Sequence, residues 1–257
     1  MKTTLTEFSI TNKIIDLIAE ISQLVGQISV TIQVDKNPML RRKNRINTIY
    51  GSLAIEQNTR TIEQITAVIN GKRVLAPPKD IEEVKNAFEI YSYLDTINPY
   101  SVEDLLKAHG VMMRGLVDDY GCFREGPVGV VDSKTGRVIH FGTLPAYVPK
   151  LMNDVLKWAE ESDVHLLIKS CIFHYEFELI HPFSDGNGRM GRLWHTVLLS
   201  KWNSIFQWIP VESIIHDNQE EYYRVLNLCN EKMDATDFVL FMLNSIKTAI
   251  LEVKETV

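Results

Sequence analysis

Apolar residues recur along this chain mostly at steps of three and four, the spacing of one face of a helix. Residues 12–32 carry Ile14, Ile15, Ile18, Ile21, Leu24, Val25 and Ile28 in that register, and Asp35 to Pro38 breaks it. A second helical stretch is predicted over 39–55, ending near Asn58. Thr61 and Gln64 have capping-box spacing and open a short helix that should stop at Asn70-Gly71. Asp80 with Glu83 starts the next, which contains Val84, Ala87, Phe88 and Tyr91 and ends at Asn98-Pro99. Ser101 with Asp104 caps another, expected to run to about Leu116.

Only one stretch has a convincing strand pattern. Val128, Val130 and Val131, then Asp132-Ser133-Lys134-Thr135-Gly136, then Val138, Ile139 and Phe141 read as a hairpin. With no other strand to join, it should be a small flap leaning on a helical body. Pro149 opens a helix through Trp158. Residues 164–180 are apolar nearly all round, as expected of a central, buried helix that Pro182 terminates. A helix from Gly188 to about Trp202 follows, then one capped by Asp217 and Glu220, then a closing helix over 236–253. The fold class expected is all-α, a helical bundle with one β-hairpin flap, residues 1–40 supplying an accessory helix and 41–257 the main domain.

Composition narrows the function. With 257 residues, 45% hydrophobic and 23% charged, the chain can bury a substantial core. A net charge of -6 argues against a dedicated nucleic-acid binder. The first ten residues lack a secretory signal pattern and no apolar run is long enough to span a bilayer, so no membrane partner is expected. Cys122, Cys171 and Cys229 have no pairing pattern and read as reduced thiols, which points to the cytoplasm. One basic run departs from the acidic balance: Arg41-Arg42-Lys43-Asn44-Arg45. A solvated helix face is the simpler reading, a contact to an anionic partner the other.

Residues 180–192, Ile-His-Pro-Phe-Ser-Asp-Gly-Asn-Gly-Arg-Met-Gly-Arg, concentrate the chemistry. Gly186 and Gly188 permit positive φ and close backbone approach just where a helix begins, and successive amides at a helix N-terminus make an anion site. Arg189 and Arg192, three apart, reach the same side with two guanidinium forks, which suits an oligophosphate. Asp185 amid this positive character suggests a divalent cation, Mg²⁺, bridging phosphate oxygens. His181 can serve as general base on an incoming hydroxyl. His109 and His174 sit on apolar-rich helices and read as core histidines, Met112 and Met113 as core. The spacing of His174 and His181 is not HExxH, which discounts a zinc hydrolase.

Residues 181–192 resemble the active-site motif of the Fic-domain family, HPFx(D/E)GNGRxxR, at every fixed position, and the resemblance extends over roughly 46–253. It implies transfer of AMP from ATP to a protein hydroxyl on Ser, Thr or Tyr, the protein itself included. His181 would be the catalytic base and Asp185 the Mg²⁺ ligand. The segment Gly186, Asn187, Gly188, Arg189, Met190, Gly191 and Arg192 would hold the phosphates, and Phe183 would pack inward to fix the loop. Tyr222, Tyr223 and Asn230 correspond to adenine-pocket positions. The flap (about 127–142, with Arg137, Val138 and Ile139 at its edge) would cover nucleotide and align the target by strand addition. Gly188 separates the chain from the kinase branch, which carries Lys there.

Ser52-Leu-Ala-Ile-Glu56-Gln57-Asn58 resembles the family's inhibitory motif (S/T)xxxE(G/N), with Gln57 as the departure. The resemblance implies an inhibitory helix around 47–58 whose Glu56 pairs with Arg192, in the N-terminal, class II arrangement. Two alternatives stay open: a catalytically idle nucleotide-binding regulatory module, and a Glu56-dependent removal of AMP from modified targets. The apolar positions of the first helix leave both a homodimer contact and packing on the domain open.

Overall fold

Helices form where the apolar spacing predicts them, with a few instructive exceptions. The computed structural model describes residues 5–31, 37–131 and 138–256. Eleven α-helices are found among these residues: α1 (Asn12–Thr31), α2 (Pro38–Ile55), α3 (Ile62–Ile69), α4 (Pro78–Tyr91), α5 (Val102–Met113), α6 (Val148–Glu161), α7 (Leu166–Ile180), α8 (Asn187–Trp202), α9 (Val211–Asp217), α10 (Gln219–Lys232) and α11 (Thr236–Glu255). Strands β1 (Gly129–Val131) and β2 (Val138–Phe141) pair antiparallel, Val130 opposite His140. The polar loop Asp132 to Gly136, Arg137 and the expected break at Asp35 lie outside the described residues. Among those described, no helix is long and apolar enough to cross a membrane.

α7 shows why a helix can be apolar all round. One side of it, with Leu167, Ile168, Cys171, Ile172 and Tyr175, belongs to a core shared with α1, α9, α10 and α11. The other side, with Phe173, Phe177 and Ile180, belongs to a second core shared with α2, α4, α5, α6 and α8. Burial on both faces removes any polar stripe. The α1 stripe Ile14, Leu17, Ile21, Val25 and Ile28 is buried, and α1 packs on α11 within the first of these cores. Ile15 is instead exposed.

Several expected boundaries are corrected. α4 begins at Pro78, not Asp80, with no side-chain cap. Asp80 pairs with Arg60 at 3.3 Å, and Glu83 is turned to the motif. α5 stops at Met113 because Gly115 takes φ +71, where a helix cannot continue. The α9 helix was not expected, being too short to show a period. Asp217 ends it and meets His216 Nδ1 at 3.0 Å, so Asp217 and Glu220 do not cap α10, which follows Asn218 without a side-chain cap.

Candidate active site

The site starts where α7 must stop. Pro182 cannot continue a helix, and His181 takes a left-handed conformation, φ 54 and ψ 64. A non-glycine residue is held there only by its surroundings. The holder is Arg124, buried, which donates from Nε to the His181 carbonyl at 2.6 Å and from Nη2 to Ile180 O and Thr143 O. Its backbone N–H reaches Pro182 O at 3.0 Å. One guanidinium fork therefore pins the carbonyls on both sides of the turn. Behind His181, Nδ1 faces Glu178 Oε2 at 3.9 Å.

The loop after the turn is closed on itself. Asn187 Nδ2 donates to Phe183 O and Phe183 N donates to Asn187 Oδ1, both at 2.8 Å. The Asn187 side chain is thus used internally, and only its backbone is left to meet a ligand. Phe183 is fully buried and stacks on His109, ring centroids 3.7 Å apart. His109 accepts from Gly121 N at Nδ1 (2.9 Å), so the proton is on Nε2, which donates to Asp185 O at 3.1 Å. Burial, against smaller raising effects, pulls the His109 pKa down to about 4 and keeps the ring neutral. Gly186, at φ +80, leads into α8, and a Cβ there would strike Met113 Sδ at 2.5 Å.

Asp185 is the half-exposed acid of the loop, with 47% of its side chain open. Its Oδ1 accepts from Gly186 N (2.6 Å) and Arg189 Nη2 (3.3 Å), while no bond engages Oδ2 among the described residues. Arg189 also reaches Glu83 Oε1 at 3.3 Å. Arg192 is almost wholly buried, 1% exposed, and its donors go to Ser52 Oγ (3.3 Å), Ser52 O (3.0 Å) and Glu56 Oε1 (2.7 Å). Burial opposes its charge, but Glu56 and the neighbouring Tyr222 and Tyr223 leave its pKa raised overall. A Cβ on Gly188 would collide with Glu56 Oε1 and come within 2.9 Å of Arg192 Nη1. The carboxylate of Glu56 therefore lies directly over the glycine of the anion turn.

Glu56 is brought there by how α2 ends. Asn58 N donates to Leu53 O and Gln57 N to Ala54 O, both about 3 Å, with Gln57 at φ 66: a Schellman turn. The position where the family pattern has Gly or Asn is thus the left-handed one. Asn58 then donates to Glu83 Oε2 at 2.7 Å, so Glu83 joins the end of α2 to Arg189. Gly51 lets α2 lie against α9, a Cβ there falling 2.7 Å from the Glu212 backbone.

Other expected residues divide. Met190 is buried in the second core and Gly191 lies against Glu178 and His174, so neither is brought to the loop surface. Tyr222 is buried with its hydroxyl on His174 Nε2 (3.0 Å), beneath the site. Tyr223 packs edge-on against it, and Asn230 accepts from Tyr175 at 2.7 Å. For Val138 and Ile139 only the backbone is described. Beyond β2, Thr143 N donates to Ile180 O at 3.3 Å, which docks the strand pair beside His181. His109 is the core histidine expected, buried with both ring nitrogens bonded, whereas the parts of Arg124 and Glu83 have no local signal, since each acts through partners distant in sequence.

The Fic/DOC family profile matches residues 99–199. The protein adenylyltransferase fic-1 of Caenorhabditis elegans is 26% identical over 194 residues, covering 71% of this chain and 36% of its own length. The protein adenylyltransferase Fic of Drosophila erecta is 29% identical over 223 residues, covering 81% and 42%. The chain thus spans less than half the length of these curated relatives. A Fic family protein of Desulfovibrio desulfuricans G20 has a crystal structure that superposes with a TM-score of 0.93 at 49% identity, covering 97% of this chain and 76% of that one. With that identity over most of both chains, and the intact loop of residues 181–192, the chain belongs to the Fic family.

Proposed function

We propose that this protein transfers AMP from ATP to a hydroxyl side chain of a protein, itself included, and that Glu56 restrains the transfer by occupying Arg192. The observation that carries the reading is the anion turn at Gly186–Gly188 with a carboxylate already seated in it, 2.7 Å from Arg192. A site that draws in Glu56 so closely is built for negative oxygens. The names of the relatives supply the reaction class.

In this reading the target hydroxyl attacks the α-phosphorus, pyrophosphate leaves, and the hydroxyl proton passes to His181 at Nε2. The other ring nitrogen, Nδ1, faces Glu178. Arg124 and the Phe183–His109 stack keep the base at its post. Backbone amides of Gly186 to Gly188 and the forks of Arg189 and Arg192 hold phosphate oxygens. Asp185, a half-exposed carboxylate with Oδ2 unengaged, fits Mg²⁺. One protein ligand plus phosphates is the usual way this ion is held, and it would neutralise and orient them. Tyr223 and Asn230 would border the adenine, and β2 would lie along the target. Cys122, Cys171 and Cys229 are free thiols, in keeping with a reducing compartment such as the cytoplasm.

Mass spectrometry after incubation with ATP and Mg²⁺ tests the reading on wild type, Glu56→Gly and Glu56→Gly/His181→Ala. The expected result is an AMP adduct that rises strongly in Glu56→Gly and vanishes in the double variant. A folded Glu56→Gly protein that gains no adduct, on itself or on added cell proteins, overturns it.

A further inference from the structure

The basic run on α2 divides in the fold. Arg42 and Lys43 are exposed, Arg41 is half-buried and Arg45 buried, and the three arginines line a cleft of about 370 Å³ with Phe88, Asp95 and Trp208. Asn44 fixes the wall by donating to Trp208 O at 2.8 Å. Arg45 lies 4.6 Å over the Trp208 ring and Arg41 5.0 Å from the centre of the same ring, and Tyr91 lies 5.5 Å from the Arg45 guanidinium.

Two cations on one indole repel each other, and α2 sets them four residues apart, on one face. Stacking engages the flat faces of a guanidinium and leaves its edge, where the five N–H donors point. Arg45 is only 6% exposed, yet its Nη1 has no acceptor among the described residues. None of the three arginines is within ion-pair distance of a carboxylate there, although the chain carries a net charge of -6. Among the described residues Arg42 has only an amide partner, Asn70 Oδ1. Asp95 is the carboxylate of the lining and the buried Glu212 also acts on Arg45, so three guanidinium groups face two carboxylates and the balance at the cleft is positive. Burial pulls the Arg45 pKa down to about 10, so it keeps its charge at neutral pH. Three guanidinium forks in one cleft, one of them buried with an unfilled donor and two of them over the same indole, suit an anion with several oxygens better than a single carboxylate.

We propose that this cleft is a binding site for a small phosphate-type oligoanion, gripped by Arg41, Arg42 and Arg45 beside Trp208. The site lies toward the start of the helix whose other end carries Ser52 and Glu56, and it does not depend on the transfer reaction.

Inorganic pyrophosphate, titrated calorimetrically at low salt into the full chain, provides the test. Wild type should bind it. Arg41→Ala/Arg42→Ala should bind about tenfold more weakly or worse, with an unchanged melting point in the absence of ligand. Arg41→Lys/Arg42→Lys, which keeps the charge and loses the forks, should also bind more weakly than wild type. Glu56→Gly, which opens the motif to phosphate, should add a second binding event and leave the one that depends on Arg41 and Arg42 unchanged. Absence of binding to wild type overturns the proposal. So does binding that strengthens in Glu56→Gly and ignores both arginine pairs, since the anion would then be in the motif.

Discussion

Gln57→Gly isolates the one strained residue in the turn that, under the proposed function, presents the inhibitory Glu56. Gln57 sits at φ 66 between Glu56, which holds Arg192, and Asn58, which closes the Schellman turn on Leu53 O. An L residue pays roughly 1–2 kcal/mol there, and glycine returns roughly 0.5–1 kcal/mol of that through its freer unfolded chain. The difference stabilises the turn by about 0.5–1 kcal/mol, or about 1–4 °C in melting temperature for a chain of this size. Strain relieved in the folded turn also lowers the fraction of molecules in which the end of α2 has frayed. The same 0.5–1 kcal/mol makes that fraction about two- to fivefold smaller. Scanning calorimetry should therefore show a higher melting point, and labelled ATP slower self-adenylylation than wild type. Gln57→Ala is the control, because it removes the side chain and keeps the Cβ. If Gln57→Ala matches Gln57→Gly, or if Gln57→Gly melts at or below wild type, strain at this position is not what limits the turn.

Three further outcomes follow from the geometry. Arg124→Lys loses the fork that pins Ile180 O, His181 O and Thr143 O, and should lower adenylylation in a Glu56→Gly background by about ten- to a hundredfold through misplacement of His181. His109 has a folded pKa of about 4, below the value of about 6.5 in the unfolded chain, so it contributes about 3 kcal/mol that is fully present above pH 6.5 and lost as pH falls toward 4; denaturant titrations should show a flatter pH dependence in that window for His109→Gln. Gly51→Ala sets a Cβ 2.7 Å from the Glu212 and Ser213 backbone, which cannot move aside as a side chain would. The cost should be about 1–3 kcal/mol, read as a lower melting point, and self-adenylylation should rise as Glu56 is displaced.

What was legible in the sequence was what acts locally. The loop from His181 to Arg192 carries turn residues, glycines and arginines at spacings that suit an anion site; Asp185, Gly188, Arg189 and Arg192 come together there, whereas Met190 and Gly191 turn inward and the Asn187 side chain closes the loop on Phe183. The all-round apolarity of α7 signalled burial on both faces, and two cores meet there. Long-range partners were not legible. Arg124 is one arginine in a polar stretch until the fold places the end of α7 against it, and no period points to that. Asp80 and Glu83 had the spacing of a cap, but their carboxylates gain more from Arg60, Asn58 and Arg189, and Pro78 starts the helix without them. Gln57 departed from the inhibitory pattern only in residue type. The backbone keeps the left-handed turn because Leu53 O, Ala54 O and the Glu56–Arg192 pair hold it from both sides.

Under the proposed function, Arg192 also explains how the restraint is both tight and reversible. A guanidinium that is 1% exposed cannot be left without an anion. Withdrawing its partner would strand a buried charge at roughly 3–5 kcal/mol, less here because Glu56 is one-third exposed and water can enter as it leaves. Under the proposed function, the inhibitory carboxylate and an entering phosphate are alternative partners of the same fork over the same glycine. Release of Glu56 is then costly alone and cheap in exchange. Arg189 repeats the pattern with Glu83, and because Glu83 also accepts from Asn58, an anion that displaces it loosens the end of the helix carrying Glu56. The two arginines are thus coupled through α2 and need not act independently. Weakening the fork itself, as in Arg192→Lys, should cost inhibition and nucleotide grip together, whereas changes confined to Glu56 or Glu83 should separate them.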